Sequence, residues 1–192
     1  MMSSLIQVRQ NALRYSALGI TLAFVLVGGV TAAAEPAPKP LQDGAALERW
    51  VVRSLDCNAD FLEGLQNRAY IERLKALGVK LTSEWQEGDV PEGEFDLPRP
   101  VTFAGQSITH IHYWGDSGAE FYGSVAAAPE DVARALQAKP VAAKNRHDFD
   151  DRTVAVRFVS PAPKGESRAP AVFVRRSEDG KQTEVGCRYF DG

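Results

Sequence analysis

The sequence predicts an α+β fold, an antiparallel sheet of about six strands in two β-β-β runs, packed on N-terminal helices and one intervening helix. Apolar residues recur at helical spacing early in the chain. Later they alternate at two-residue spacing in short segments separated by Gly-rich turns. Two cysteines, distant in sequence, predict how the helical and strand regions are joined.

Two helices are predicted before the first strand. Gly44–Leu55 places four apolar side chains on one stripe, and Asp43 is a suitable N-cap residue. The second helix extends from Arg68 to Leu77, between an Asn67 cap and Gly78, whose conformational freedom favours a helix end.

Six strands and a third helix follow. The first β-β-β run comprises residues 101–104, 107–114 and 120–125, and the second comprises 153–159, 171–176 and 183–190. Between them, Pro129–Ala138 begins with proline and acidic residues, as many helices do. The acidic stretch Lys80–Pro100 has two interpretations, an acidic contact surface or a solvated connector, and the connector is favoured because charged loops are common.

The N-terminus predicts export. Arg9 and Arg14 precede an uncharged run, residues 15–30, and small residues up to Ala34 offer a signal-peptidase site. The expected organisation is a cleaved signal peptide (1–34), a flexible Pro-rich leader (35–43) and a single α+β domain (44–192). An uncleaved membrane anchor is the alternative, but the run is shorter than the roughly 20 apolar residues that span a bilayer. The mature protein is therefore expected in the periplasm or outside the cell, without stable membrane insertion.

Cys57 and Cys187 predict a disulfide. An oxidising compartment and an even number of cysteines favour a bond between them, with two separate buried thiols as the alternative. The sequence has no C-x-x-C motif, which disfavours a redox catalyst.

The charge balance argues against nucleic acid as a partner. The formal net charge is −3. The predicted signal peptide contains two of the 22 basic residues and no acidic ones, so the mature chain is more acidic still. Nucleic-acid binding requires clustered Lys and Arg.

The best candidate site is on the strand 107–114. Strand alternation places His110, His112 and Trp114 on one face, together with Ile108. These side chains can form a binding surface. Alternatively, the two imidazoles can bind zinc or copper with His147, or an acid from residues 148–151, as a further ligand. A solvated histidine pair without metal is the third interpretation.

Motifs for catalysis are weak, which leaves enzymatic activity uncertain and disfavoured. Gly115-Asp-Ser-Gly118 resembles the G-D-S-G around the nucleophile of trypsin-like serine proteases, but over these four residues only. A hydrolase using Ser117, or the acids of 148–151 as an acid/base pair, is therefore the last hypothesis. The sequence has no Walker A, G-x-S-x-G, H-E-x-x-H or Rossmann glycine motif.

The resulting functional prediction is a secreted or periplasmic binding protein without a cofactor. Its expected partner is a protein or another envelope component, which would make it an inhibitor or an envelope accessory protein. The competing hypothesis is a zinc- or copper-binding protein that uses His110 and His112.

Overall fold

The computed structural model describes residues 41–59, 61–82, 92–116, 118–159 and 169–190. The predicted signal peptide, residues 35–40 of the predicted leader and Ser117 lie outside these ranges. The helices are α1 (Gly44–Leu55), α2 (Phe61–Leu65), α3 (Arg68–Ala76) and α4 (Pro129–Ala135), with a 3-10 helix at Ala143–Asp148. The strands are β1 (Lys80–Leu81), β2 (Glu92–Phe103), β3 (Gln106–Asp116), β4 (Gly118–Val125), β5 (Lys139–Pro140), β6 (Thr153–Phe158), β7 (Ala171–Arg176) and β8 (Thr183–Phe190).

All described strands form one antiparallel sheet in the order β1-β2-β3-β4-β8-β7-β6-β5. The predicted α+β class with an antiparallel sheet is confirmed. The predicted number of about six strands is wrong, since the described residues form eight. The additional strands, β1 and β5, have two residues each and pair with β2 and β6. Segments this short have no recognisable alternation.

The interpretation of Lys80–Pro100 as a solvated connector is wrong for its C-terminal part, which belongs to β2. Phe95 and Leu97 are buried, and the residues that alternate with them are exposed, which is the two-residue pattern of a half-buried strand. Pro98 and Pro100 make this alternation difficult to recognise in the sequence, because proline is uncommon inside strands. Both lie where the β2–β3 register shifts, between Asp96 and Val101, and a proline is tolerated at such an irregularity.

The helices pack on one face of the sheet, which is the arrangement predicted for the N-terminal helices. Asp43 caps α1 by accepting a hydrogen bond from the Ala46 amide at 2.7 Å. Trp50 of α1 packs against Phe95 and Phe121, with ring centroids 6.3 and 5.4 Å apart. These residues belong to a core that also includes apolar side chains of α2, α3, α4 and six of the strands. None of the described helices is long and apolar enough to cross a membrane.

The predicted disulfide between Cys57 and Cys187 is confirmed. Cys57 follows α1 in the left-handed region, with φ of 58°, and Cys187 is in the centre of β8. The bond therefore attaches the end of the first helix to the middle of the sheet.

The opposite face of the sheet contains no α-helical residue in its core and is here called the helix-free face. It is partly covered. Phe149, Val156, Ala171 and Phe173 form a small second core there. The chain between β5 and β6 contributes Phe149 to this core and so covers the β6–β7 end. No described segment covers the other end, formed by β2, β3 and β4.

Candidate functional site

The site residues predicted on β3 lie together on the helix-free face. His110, His112 and Trp114 are half-buried. Antiparallel pairing places each of them opposite an acidic residue of β2, respectively Asp96, Glu94 and Glu92. Together with Tyr122 of β4, these six residues form what we call the β2–β4 patch.

Ile108 is an exception to the predicted alternation. It is fully buried in the main core instead of lying beside the histidines. The register shift between Asp96 and Val101 interrupts the alternation at this point of the β2–β3 pair.

The Glu94 carboxylate bridges the two histidines. Its Oε2 atom is 3.2 Å from Nε2 of His110, and its Oε1 atom is 2.9 Å from Nδ1 of His112. The imidazole centroids are 4.7 Å apart. One ligand atom from each of the three residues lies within 4.8 Å of the other two.

Both ring nitrogens of His110 face carboxylates. Nδ1 is 2.7 Å from Oδ1 of Asp96, while Nε2 faces Glu94. An ionised carboxylate only accepts hydrogen bonds, and a neutral imidazole has a single N–H to donate. His110 therefore satisfies both neighbours only when it carries a second proton, or when a cation lies between one nitrogen and its carboxylate.

His112 has a different environment. Its ring stacks on Tyr122, with centroids 5.0 Å apart and planes inclined by 12°. Burial lowers the pKa of His112, and the lowering prevails over the opposing attraction of Glu94. Burial therefore favours the uncharged imidazole, which is the form in which histidine binds a metal.

A buried ion cluster lies beside the patch. Arg175 donates to Glu120 at 2.9 Å and to Glu184 at 2.5 Å, and its guanidinium lies over the Tyr122 ring. Burial alone would lower the pKa of Arg175, but the adjacent carboxylates outweigh it and raise the pKa. The contact with the Arg175 guanidinium holds the Tyr122 ring in place, and the carboxylates of Glu120 and Glu184 balance the charge of Arg175.

The patch also contains an open depression of about 410 Å³, between the β2 acids and the aromatic rings. Trp114 and Tyr122 line it together with His112 and Glu94. The other two aromatic residues of this hairpin, Tyr113 and Phe121, are buried in the core. Half of the aromatic side chains at residues 113–122 thus remain available for contact.

Comparison with protein-family models, curated proteins and solved structures finds no match for this chain. A fold class alone does not identify a function. A proposal for the function must therefore be argued from the side chains of the β2–β4 patch.

The remaining candidate residues lie elsewhere or outside the described ranges. His147 is in the 3-10 helix, where its Nε2 atom pairs with Asp148 at 3.2 Å, and the ligand group described above contains Glu94 in its place. Asp150 accepts hydrogen bonds from Arg152 and Thr153, as a residue that caps the turn before β6 does. Ser117 is not among the described residues.

Sequence reasoning missed the contribution of β2. The sequence interpretation places Glu94 and Asp96 in an acidic loop, although they alternate with Phe95 and Leu97. That alternation identifies a strand but not its pairing. The hairpin turn at Ala104-Gly105 pairs Val101 with Ile108, and only the register shift between Asp96 and Val101 brings Glu94 and Asp96 opposite the histidines.

Proposed function

We propose that this is an exported binding protein that holds a protein partner against the β2–β4 patch. One observation carries the proposal. On the part of the helix-free face that no described segment covers, half-buried aromatic rings lie beside a row of exposed carboxylates. Aromatic side chains anchor interfaces because they bury a large area with little loss of conformational freedom.

The charge of the patch indicates the chemistry of the partner. Glu92, Glu94 and Asp96 are exposed along one strand, and the whole chain has a formal net charge of −3. A complementary surface would present Lys and Arg side chains around an apolar centre that receives Trp114. We therefore propose a protein partner with a basic surface.

Export is part of the same proposal. The disulfide is consistent with an oxidising compartment, where such bonds persist. Cleavage after Ala34 gives a mature chain that begins at Glu35, and intact-mass measurement of the protein recovered from outside the cytoplasm tests this. A full-length mass in the membrane fraction would contradict it.

Site-specific cross-linking tests the partner. A photo-reactive residue at position 114 should form an adduct with one protein in the producing cells, within a Lys- and Arg-rich peptide. The same residue at position 134, exposed on α4, should form none. The adduct yield should fall when salt is raised, because screening weakens interactions between exposed charges.

Variants of the isolated complex provide the quantitative test. Trp114→Ala should weaken binding by roughly thirtyfold, the loss expected for an aromatic anchor, and His110→Ala should weaken it less. Arg134→Ala is the matched control and should change affinity by less than about twofold. Equal adducts at positions 114 and 134, or normal binding by Trp114→Ala, would rule out this interface.

A further inference from the structure

We propose that Glu94, His110 and His112 form a binding site for a divalent transition-metal ion, zinc or copper. The site lies within the β2–β4 patch, but all three residues belong to this chain, so metal binding can be measured without the proposed partner. It differs from the set that the sequence indicated, because Glu94 from the neighbouring strand takes the place of His147.

The geometry of the three side chains is close to that of a metal site. Two ligands that are each 2.0–2.1 Å from a tetrahedral zinc lie roughly 3.3 Å from one another. The Glu94 oxygens are 3.2 Å from His110 Nε2 and 2.9 Å from His112 Nδ1. One ligand atom from each of the three residues lies within 4.8 Å of the other two, so side-chain rotations that bring these atoms to roughly 3.3 Å would let one ion take the place of the protons between them.

The electrostatics of the group favour a cation. His110 faces a carboxylate at each ring nitrogen, so the neutral imidazole leaves one nitrogen lone pair against an oxygen lone pair. A metal between Nε2 and Glu94 removes this repulsion, while the Nδ1 proton is still donated to Asp96. A divalent ion also balances the negative charge of the two carboxylates.

Asp96 is a positioning residue for this site. Its Oδ1 atom is 2.7 Å from His110 Nδ1, which directs the Nε2 atom of the same ring toward Glu94. A carboxylate that hydrogen-bonds the distal nitrogen of a histidine ligand fixes the tautomer and increases the basicity of the ligand. The structure thus has both the ligands and the second carboxylate that commonly accompanies them.

The ligand types select the class of metal. Imidazole nitrogen and carboxylate oxygen suit zinc and copper(II), whereas calcium and magnesium prefer oxygen ligands alone. Both cysteines are in the disulfide and offer no thiolate. The side chains of His110 and His112 are 33% and 28% exposed, so a hydrated ion can reach them and keep water in its remaining positions.

Calorimetric titration of the purified protein with Zn²⁺, and separately with Cu²⁺, tests the proposal. One ion per chain should bind with Kd below about 1 µM for at least one of the two metals. His110→Ala and His112→Ala should each weaken that binding by more than about 100-fold. Asp96→Asn should weaken it by roughly tenfold, the effect of losing a hydrogen-bonded neighbour of a ligand.

His147→Ala is the matched control, because it removes the chain's remaining histidine and leaves the group intact. Its affinity should stay within about twofold of wild type. With Cu²⁺, the electron paramagnetic resonance spectrum should show coupling to two imidazole nitrogens in the wild type and in His147→Ala. In His112→Ala the coupling should come from one nitrogen.

Folding of the variants is checked separately by thermal unfolding without metal. Metal should raise the melting temperature of the wild type and of His147→Ala but not of His110→Ala, since an ion stabilises only the state it binds. Binding of both metals weaker than about 1 µM would overturn the site, as would full affinity in His110→Ala. These measurements use the isolated chain. A negative result would therefore overturn the metal site without contradicting the partner proposal, which the cross-linking experiment tests separately.

Discussion

Glu120 is 2% exposed, and its carboxylate accepts hydrogen bonds from Arg175 and Arg188 at 2.9 and 3.1 Å. Glu120→Gln keeps the shape of the side chain but leaves two guanidinium groups with less opposing charge. Breaking a buried ion pair in this way is strongly destabilising, by about 3 kcal/mol or more. Urea denaturation at pH 7 measures this loss in the free energy of unfolding.

Glu130→Gln is the matched control, because Glu130 and its partner Arg176 form an exposed pair at 3.1 Å. Exposed pairs contribute up to about 1 kcal/mol, and many contribute less. Equal losses in Glu120→Gln and Glu130→Gln would show that burial does not make the Glu120 cluster important for stability.

Asp150 predicts a pH-dependent contribution to stability. Burial alone would raise the pKa of its carboxyl group, but hydrogen bonds from Thr153 and Arg152 and the charge of Arg175 outweigh burial and lower the pKa. The folded-state pKa is thus below the unfolded value of about 3.9. The stabilisation is fully present above the unfolded pKa and is lost as pH falls through the folded pKa.

Asp150→Asn should therefore destabilise the protein at pH 7, and its deficit relative to wild type should shrink as pH falls below about 4. Urea denaturation at several pH values measures this deficit. Asp151→Asn, at an exposed neighbour, should show no comparable narrowing. A deficit for Asp150→Asn that stays constant down to pH 2.5 would contradict the assignment.

At the scale of elements, the β4–β8 pair depends on a glycine. A Cβ atom on Gly186 would lie 2.1 Å from the carbonyl oxygen of Phe121 and 2.5 Å from Cα of Tyr122, both on β4. Gly186→Ala should force the two strands apart and lower the free energy of unfolding by about 3 kcal/mol, the upper end of the usual cost of overpacking.

The same substitution at Gly44 is the control. Gly44 is the first residue of α1, and a Cβ there would come no closer than 3.4 Å to the flexible end of Arg99. Gly44→Ala should raise stability by roughly 0.5 kcal/mol, because alanine has less freedom to lose in the unfolded chain. Opposite signs for the two substitutions, measured by thermal unfolding, are the expected result.

The disulfide predicts a further stability difference. Its removal by reductant, or in Cys57→Ser, should cost roughly 2–5 kcal/mol, the usual range for a native disulfide. Cys57→Ser should then be insensitive to reductant, whereas the wild type should become as unstable as the variant. Non-reducing peptide mapping should recover Cys57 and Cys187 in one linked peptide, and free thiols at both positions would contradict the bond.

Local sequence signals predict the elements whose caps, alternation or turns lie within the element or directly beside it. The bounds of α1 and α3 follow from Asp43, Asn67 and Gly78, since each satisfies or ends the helix backbone within a few residues. The strands β4, β7 and β8 follow from alternation and turns. The two-residue strands β1 and β5 have no period of their own and exist only through pairing with a neighbour.

Only part of the candidate site can be predicted from the sequence. His110 and His112 share a strand, so alternation placed them together. Their third neighbour, Glu94, comes from a different strand, and its position depends on the β2–β3 register. The prediction that His147 joins them depends on long-range folding of the polar segment before β6, which no local pattern determines.

At the scale of the whole molecule, the sheet is formed by two four-strand halves. The first half is preceded by α1–α3 and the second by α4, and the strand order makes them meet at β4 and β8. Each half begins with a two-residue strand that becomes an outer edge of the sheet. The two predicted β-β-β runs thus correspond to the inner strands of the two halves.

Several contacts couple these halves. Trp50 of α1 packs on Phe121 of the first half, while Cys57, directly after α1, is bonded to Cys187 of the second. Arg157 of β6 forms an ion pair with Asp56 at the end of α1. Opening either half would therefore expose contacts made by the same helix, so the free energies of opening should not be independent.

We accordingly expect the halves to unfold as one unit. In native-state hydrogen exchange, the amides of Phe121 on β4 and Val174 on β7 should report the same free energy and the same dependence on urea, since only global unfolding exposes both. The amides of Lys80 and Leu81 in β1, and of Lys139 in β5, lie at the sheet edges and should exchange with lower free energies. Reduction of the disulfide should lower the values at Phe121 and Val174 equally. Different urea slopes at these two positions would instead show that the halves are separate folding units and that α1 does not couple them.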